Sequence, residues 1–132
     1  MRKKSDEKAK PKLTEVELEM MGVLWDLEEG SVSDVLQKLP ATRKLAYTSV
    51  STMLRILEQK GVVASRKEGR GHIYKPLLDR QSYGKASVED LVEKVFGGAP
   101  SAMVRTLLDI DGLSDSDLDA IRKVIDSKGK HS

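Results

Sequence analysis

The side chains best placed to do chemistry are Thr48, Ser51, Thr52, Arg55 and Gln59, followed closely by the cations Arg66, Lys67 and Arg70. Intervals of three and four residues put the first five on one stripe of a helix. Short hydroxyl side chains let a helix backbone approach a surface closely, and Arg55 reaches further. The partner that suits such a stripe is polar and anionic: base edges or phosphates. A stripe that only meets water usually mixes both signs of charge, whereas here the first carboxylate is Glu58. Taken alone, the helix leaves a serine-rich solvated face equally open. Bond-making chemistry has little to work with. The two histidines, His72 and His131, lie far apart, and there is no cysteine, P-loop, dinucleotide glycine pattern or metal-ligand spacing. Asp109, Asp111, Asp115, Asp117 and Asp119 gather around Gly112, but the calcium-loop spacing and its closing Glu are missing. Helix capping and solvation account for them. No catalytic residue, metal or cofactor is expected.

The elements that must position the stripe follow from periodicity. Val50, Leu54 and Leu57, with Met53 beside them, form the apolar face of a helix over Tyr47–Lys60 that Gly61 stops. Its cap is ambiguous, because Thr48 has the better side chain but Tyr47 already fits a helix. Val62–Lys67 and His72–Pro76 are β-prone runs around Glu68-Gly69-Arg70-Gly71, a hairpin whose two glycines can supply positive φ. Helix, glycine stop and basic hairpin in immediate succession predict a winged helix: the helix enters a major groove and the wing touches backbone or minor groove. Arg43 and Lys44 stand at the helix entrance, a common place for phosphate contacts. Tyr74 fits either a phosphate contact or packing on Trp25 or the central helix.

Upstream, Thr14 and Glu17 predict a capping box, with Leu13 and Leu18 as its staple. Leu18, Met21, Leu24 and Trp25 mark the buried face of a first helix that ends by Gly30. Glu15, Glu17 and Glu19 suit the positive end of its dipole. Ser31–Ser33 is expected as an extended cap for a second helix over Asp34–Leu39, stopped by Pro40. Downstream, helices are expected over Asp79–Phe96, after a Ser101 cap, and after a Ser114–Asp117 cap, with Asp126–Ser132 frayed. These last three are too short to bury their aliphatics well. Packing on the N-terminal part is one solution and pairing with a second copy is the favoured one, since small DNA readers commonly dimerise over two half-sites.

Composition agrees. The 132-residue chain carries a net charge of only +2, but the charge is unevenly placed. Residues 1–12 hold six Lys/Arg against two Asp/Glu, and residues 43–75 hold eight against two. Residues 13–42 hold one against seven, and residues 76–132 eight against ten. A phosphate backbone responds to the local field and not to the total. Residues 1–12 are expected as a disordered basic arm or plain solvated tail. No apolar run suggests a signal peptide or a membrane span, so a soluble cytoplasmic protein without membrane insertion is expected.

The order of these elements resembles the penicillinase repressor (BlaI/MecI-type) family of winged-helix transcriptional regulators. The acidic start and Trp ending of Leu13–Trp25 resemble the family's first helix. Tyr47–Val63 is similar to its recognition helix and first wing strand, and Glu68–Leu77 to its wing. Val95-Phe96-Gly97-Gly98 with Ser101, and later Leu113-Ser114, resemble its C-terminal dimerisation part; the similarity spans Leu13 to Ile125. The fold class implied is mainly α with a small β-hairpin: basic arm 1–12, winged-helix DNA-binding domain 13–77, helical dimerisation region 78–126 and frayed tail 127–132.

The resemblance implies a homodimeric repressor on an inverted-repeat operator in double-stranded DNA, released through a membrane sensor metalloprotease system. The family's Asn-Phe cleavage bond falls at Thr106-Leu107 here, and the C-terminal cysteines of copper-responsive relatives are absent. Expected DNA contacts are Arg43, Lys44, Tyr47, Thr48, Ser49, Ser51, Thr52, Arg55, Arg66, Lys67, Arg70 and His72. The expected dimer interface is Leu91, Val95, Phe96, Met103, Leu107, Leu108, Leu118, Ile121 and Ile125. The alternative is a winged-helix module that binds protein without specific DNA binding; acidic or hydrophobic recognition faces would favour it, and this face is neither.

Overall fold

Each of the first two helices opens on a reciprocal cap. The computed structural model, which describes residues 11–40 and 42–130, places the Glu17 amide 3.1 Å from Thr14 Oγ1 and the Thr14 amide 2.9 Å from Glu17 Oε1. This is the predicted capping box, and it starts α1 (Glu15–Leu27). Ser31 and Asp34 repeat the exchange at 3.1 and 3.0 Å and start α2 (Val32–Lys38). Helix α2 thus begins two residues earlier than expected, because this second box makes Ser31 alone the cap. The expected basic arm lies outside the described residues save for Pro11 and Lys12, as does His131.

Helix α3 (Tyr47–Gln59) has Ala46 as its N-cap, so Tyr47 is already helical and Thr48 lies inside the first turn. It ends as a Schellman motif. The Val62 amide donates to the Leu57 carbonyl at 3.2 Å and the Gly61 amide to that of Glu58 at 3.0 Å. Gly61 adopts the φ of +81° this requires. The chain then enters β1 (Val63–Glu68) and returns in β2 (Gly71–Pro76), antiparallel, in a register from Val63 opposite Pro76 to Glu68 opposite Gly71. Gly69 and Arg70 form the two-residue loop. Gly69 alone supplies positive φ, while Gly71, expected to do the same, begins β2; a loop with glycine first needs it only there. Gly30 adds an isolated bridge to Tyr74, a short third edge that periodicity did not reveal.

Met20, Met21 and Leu24 of α1, Val35 of α2, Val50, Leu54 and Leu57 of α3 and Val63 of β1 are sealed from water. Leu18, expected inward, is exposed, and Met20 and Val23 are buried instead. Leu18 is two residues from Met20, about 200° around the helix, and so faces away. Trp25 Nε1 donates to the Leu78 carbonyl at 2.8 Å. The Arg80 guanidinium lies 5.4 Å from the centre of the Trp25 ring, and Tyr83 stacks at a tilt, 6.1 Å away. These contacts fasten the start of α4 (Arg80–Val95) to α1.

Two compact units divide within α4, the first reaching Ser87 and the second starting at Val88. The second comprises the rest of α4, α5 (Pro100–Leu108) and α6 (Asp115–Lys130). Ser101, expected as a cap, is helical: Ala99 is the N-cap and Pro100 takes the first helical position, where its missing amide hydrogen costs nothing. Ser114 and Asp117 form the predicted box at 3.0 and 3.1 Å. Helix α6 continues to Lys130 rather than fraying from Asp126; the Lys123–Asp119 pair at 3.4 Å supports its middle.

Candidate nucleic-acid interface

Burying Val50, Leu54 and Leu57 leaves the opposite stripe of α3 outward, with Thr48, Thr52, Arg55 and Gln59 exposed and Ser51 half-buried. The stripe has two flanks. On one, Tyr47, Ser51 and Arg55 line a cleft of about 460 Å³ whose far wall is Arg70, Gly71 and His72 of the hairpin. Tyr74, which is buried, and Ser65, which is half-buried, lie in its lining, and Ser65 Oγ donates to Glu58 Oε2 at 2.8 Å. Tyr74 is therefore cleft lining, with the His72 ring 6.4 Å away; it does not stack on Trp25, whose ring partner is Tyr83. On the other flank, Thr48, Ser49 and Thr52 edge a shallow depression of about 350 Å³ with Met53 and Ile56. The expected contact residues thus share one surface, but not one pocket.

The cations divide into engaged and open. Arg43, at the entrance to α3, pairs with Glu19 through Nε and Nη2, and that carboxylate raises its affinity for its proton. Arg66 on β1 donates through both terminal nitrogens to Glu29, each at 2.9 Å. This hydrogen-bonded cation, outweighing a small burial effect, holds the Glu29 carboxyl below the usual carboxylate range. Lys60 lies 2.6 Å from Glu17 and also donates to the Lys12 carbonyl at 3.1 Å. Burial pushes the Glu17 carboxyl up, but Lys60 and the Thr14 cap together hold it below its ordinary value. Lys44, Arg55, Lys67 and Arg70 form no ion pair among the described residues and are exposed. The exposed surface of the α3–hairpin face thus keeps these four open cations for a polyanion.

Periodicity missed the acidic partners. Glu19 was expected only to serve the helix dipole, and Glu29 was given no role. Arg43 and Arg66 lie 24 and 37 residues away from them, so no local pattern could expose the pairs.

In the second unit no described side chain is buried. Of the residues expected at a dimer interface, Leu91, Val95, Leu107, Leu108 and Ile125 are exposed, and Phe96, Met103, Leu118 and Ile121 are half-buried. Val88, Val104, Ile110 and Val124 extend the uncovered apolar surface. No helix among the described residues is long and apolar enough to cross a membrane. No group of three or more His, Asp or Glu side chains there could hold a metal ion.

The chain is similar in sequence to known repressor proteins. The chain is 27% identical over 116 residues to the penicillinase repressor of Bacillus licheniformis, covering 88% of this chain and 91% of that one. It is 28% identical over 117 residues to the transcriptional regulator BlaI of Mycobacterium tuberculosis, covering 86% and 83%. The solution structure of monomeric Bacillus licheniformis BlaI in complex with the blaP half-operator matches at 33% identity, over 55% of this chain and 89% of that one, with a TM-score of 0.47. The family model described as penicillinase repressor matches residues 13–127, nearly the whole chain, and the chain belongs to that family.

Proposed function

We propose that this protein is a transcriptional repressor that binds double-stranded DNA sequence-specifically, as a homodimer on an inverted-repeat operator, in the cytoplasm, and that it is not an enzyme. The observation that carries this is the convergence of Ser51 and Arg55 of α3 with Arg70 and His72 of the hairpin on one open cleft. A helix face in a major groove would present Thr48, Ser51, Thr52 and Arg55 to base edges, with Tyr47 and Ser49 beside them. Lys44, Lys67, Arg70 and His72 would meet the flanking phosphates. Membership of the repressor family supports the same reading.

The homodimer is supported by the uncovered aliphatics of α4, α5 and α6. A second copy would cover them and place two reading heads on two half-sites. Release through a membrane sensor metalloprotease system would act in the same region. Thr106 and Leu107, at the family's cleavage position, are helical within α5. A cut there requires that helix to open first, because helical backbone is already fully hydrogen-bonded. Selection of bound duplexes from a random pool tests the function. The expected consensus is a palindrome with half-site centres about one helical turn, roughly 10 bp, or a multiple of it apart. A pool that stays random after repeated rounds would refute specific DNA binding.

A further inference from the structure

Arg66 differs from the other cations of the wing in what surrounds it. Arg55 and Arg70 open onto the cleft with no hydrogen-bond partner among the described residues, whereas both terminal nitrogens of Arg66 are filled by the two oxygens of Glu29, 2.9 Å each. Glu29 follows Glu28, whose φ of +75° turns the chain sharply out of α1. One residue later, Gly30 exchanges two backbone hydrogen bonds with Tyr74, at 2.9 and 2.8 Å. Arg66 is on β1, opposite Ile73 in the ladder, and Tyr74 is on β2. Residues 29 and 30 therefore grip both strands of the hairpin, one through a side-chain fork and the other through backbone. A hairpin of two strands alone is a weak structure. Its inner side packs on α1 through Val63 and Tyr74 in the core, and the grip of residues 29 and 30 adds directional bonds to that non-directional packing. Planar, two-pronged pairing of this kind fixes orientation as well as distance.

We infer that Glu29 and Arg66 form a strut that sets the angle of the wing relative to α1, making Arg66 a positioning residue for duplex binding and not a phosphate contact. This rests on the DNA-binding function proposed above. Both partners are partly exposed, so the strut biases the wing's angle and does not decide whether the domain folds. A wing at the wrong angle lowers apparent affinity only by the fraction of molecules that are misaligned.

Three full-length variants test this, on the consensus duplex that the wild-type protein selects from a random pool. Arg66→Lys keeps the charge but loses the fork. Arg66→Glu reverses the charge. The pair Glu29→Arg with Arg66→Glu restores both the fork and the wild-type net charge in the opposite sense. Affinity and its salt dependence are measured by fluorescence anisotropy, and hydrogen exchange of the Gly30 and Tyr74 amides is followed in the free protein. The strut predicts that Arg66→Lys weakens binding about two- to fivefold with an unchanged salt slope. It also predicts faster exchange at both amides, and that the swapped pair recovers binding to within about twofold of wild type. A phosphate contact predicts the opposite: Arg66→Lys binds like wild type, while the swapped pair stays as weak as Arg66→Glu with a salt slope shallower by about two per dimer. That result overturns the inference. Absence of any duplex preference in the wild-type protein would instead defeat the DNA-binding function. Unchanged amide protection in Arg66→Lys would then still overturn the strut, because that arm needs no DNA.

Discussion

Raising salt from 50 to 200 mM should weaken operator binding by an amount that the ion pairs determine. With Arg55 assigned to base edges, the arginines and lysines expected at phosphates are Arg43, Lys44, Arg66, Lys67 and Arg70. Arg43 and Arg66 are engaged by Glu19 and Glu29, which leaves three per protomer and about six per dimer. Each neutralised phosphate contributes about 0.9 to the slope of log affinity against log salt. The expected slope is therefore about −5, and the fourfold rise in salt should cost about three decades of affinity. If the two paired arginines also released their carboxylates to reach phosphates, about ten contacts would give a slope near −9 and a loss of about five decades. Fluorescence anisotropy of a labelled operator duplex in KCl, with protein titrated at each salt, measures this. A slope shallower than about −3 would show that the α3–hairpin face does not hold the phosphates. A slope near −9 would show that the carboxylate partners yield and that Arg43 and Arg66 reach phosphates as the open cations do.

Arg55→Ala and Thr52→Ala should each narrow the gap between operator and random duplex by about 1–3 kcal/mol, whereas Arg70→Ala should weaken both duplexes alike; equal losses for all three on every sequence would remove α3 from the recognition role. Leu107→Asp or Ile121→Asp should give monomers by light scattering, because each copy loses about 1 kcal/mol of apolar burial and gains an unpaired carboxylate in the seam. The dimer dissociation constant should rise at least about a thousandfold, and an unchanged mass would contradict the pairing. Glu17→Gln should destabilise the protein by about 1 kcal/mol at neutral pH in urea unfolding. Since the folded Glu17 carboxyl titrates below its unfolded value of about 4.3, its contribution is complete above that value. It fades as pH falls through the lower, folded one. Wild type and variant should therefore converge in acid, and an equal gap at both pH values would assign the loss to packing rather than charge.

What the sequence made legible was local. Thr14 and Glu17 are three apart and announced their cap; Val50, Leu54 and Leu57 announced the buried face of α3; the glycine between two β-prone runs announced the hairpin. In each case the interacting groups lie within a few residues, and helix or turn geometry alone brings them together. Leu18 failed because a staple position and a core position lie on different faces of the same helix, and a list of apolar residues does not separate them. The first residues of α2 failed because Ser31 and Ser33 are both acceptable caps, and only Asp34, three residues after Ser31, decides between them. The site was legible as a set of residues but not as an arrangement. Nothing local indicates that Ser51 and Thr52, adjacent in the chain, edge different depressions. Nor does it indicate that Glu19 and Glu29 quench two cations far along the chain, since those pairings exist only after the hydrophobic core has closed.

From residue 88 onward, no described side chain is hidden from water. The helical part beyond that point has, in effect, no interior of its own, and in the proposed homodimer it would borrow one from the second copy. An event that stripped or severed that borrowed cover would then need no relay into the winged half. Losing the cover would be the same event as parting the two reading heads, leaving each with half a site.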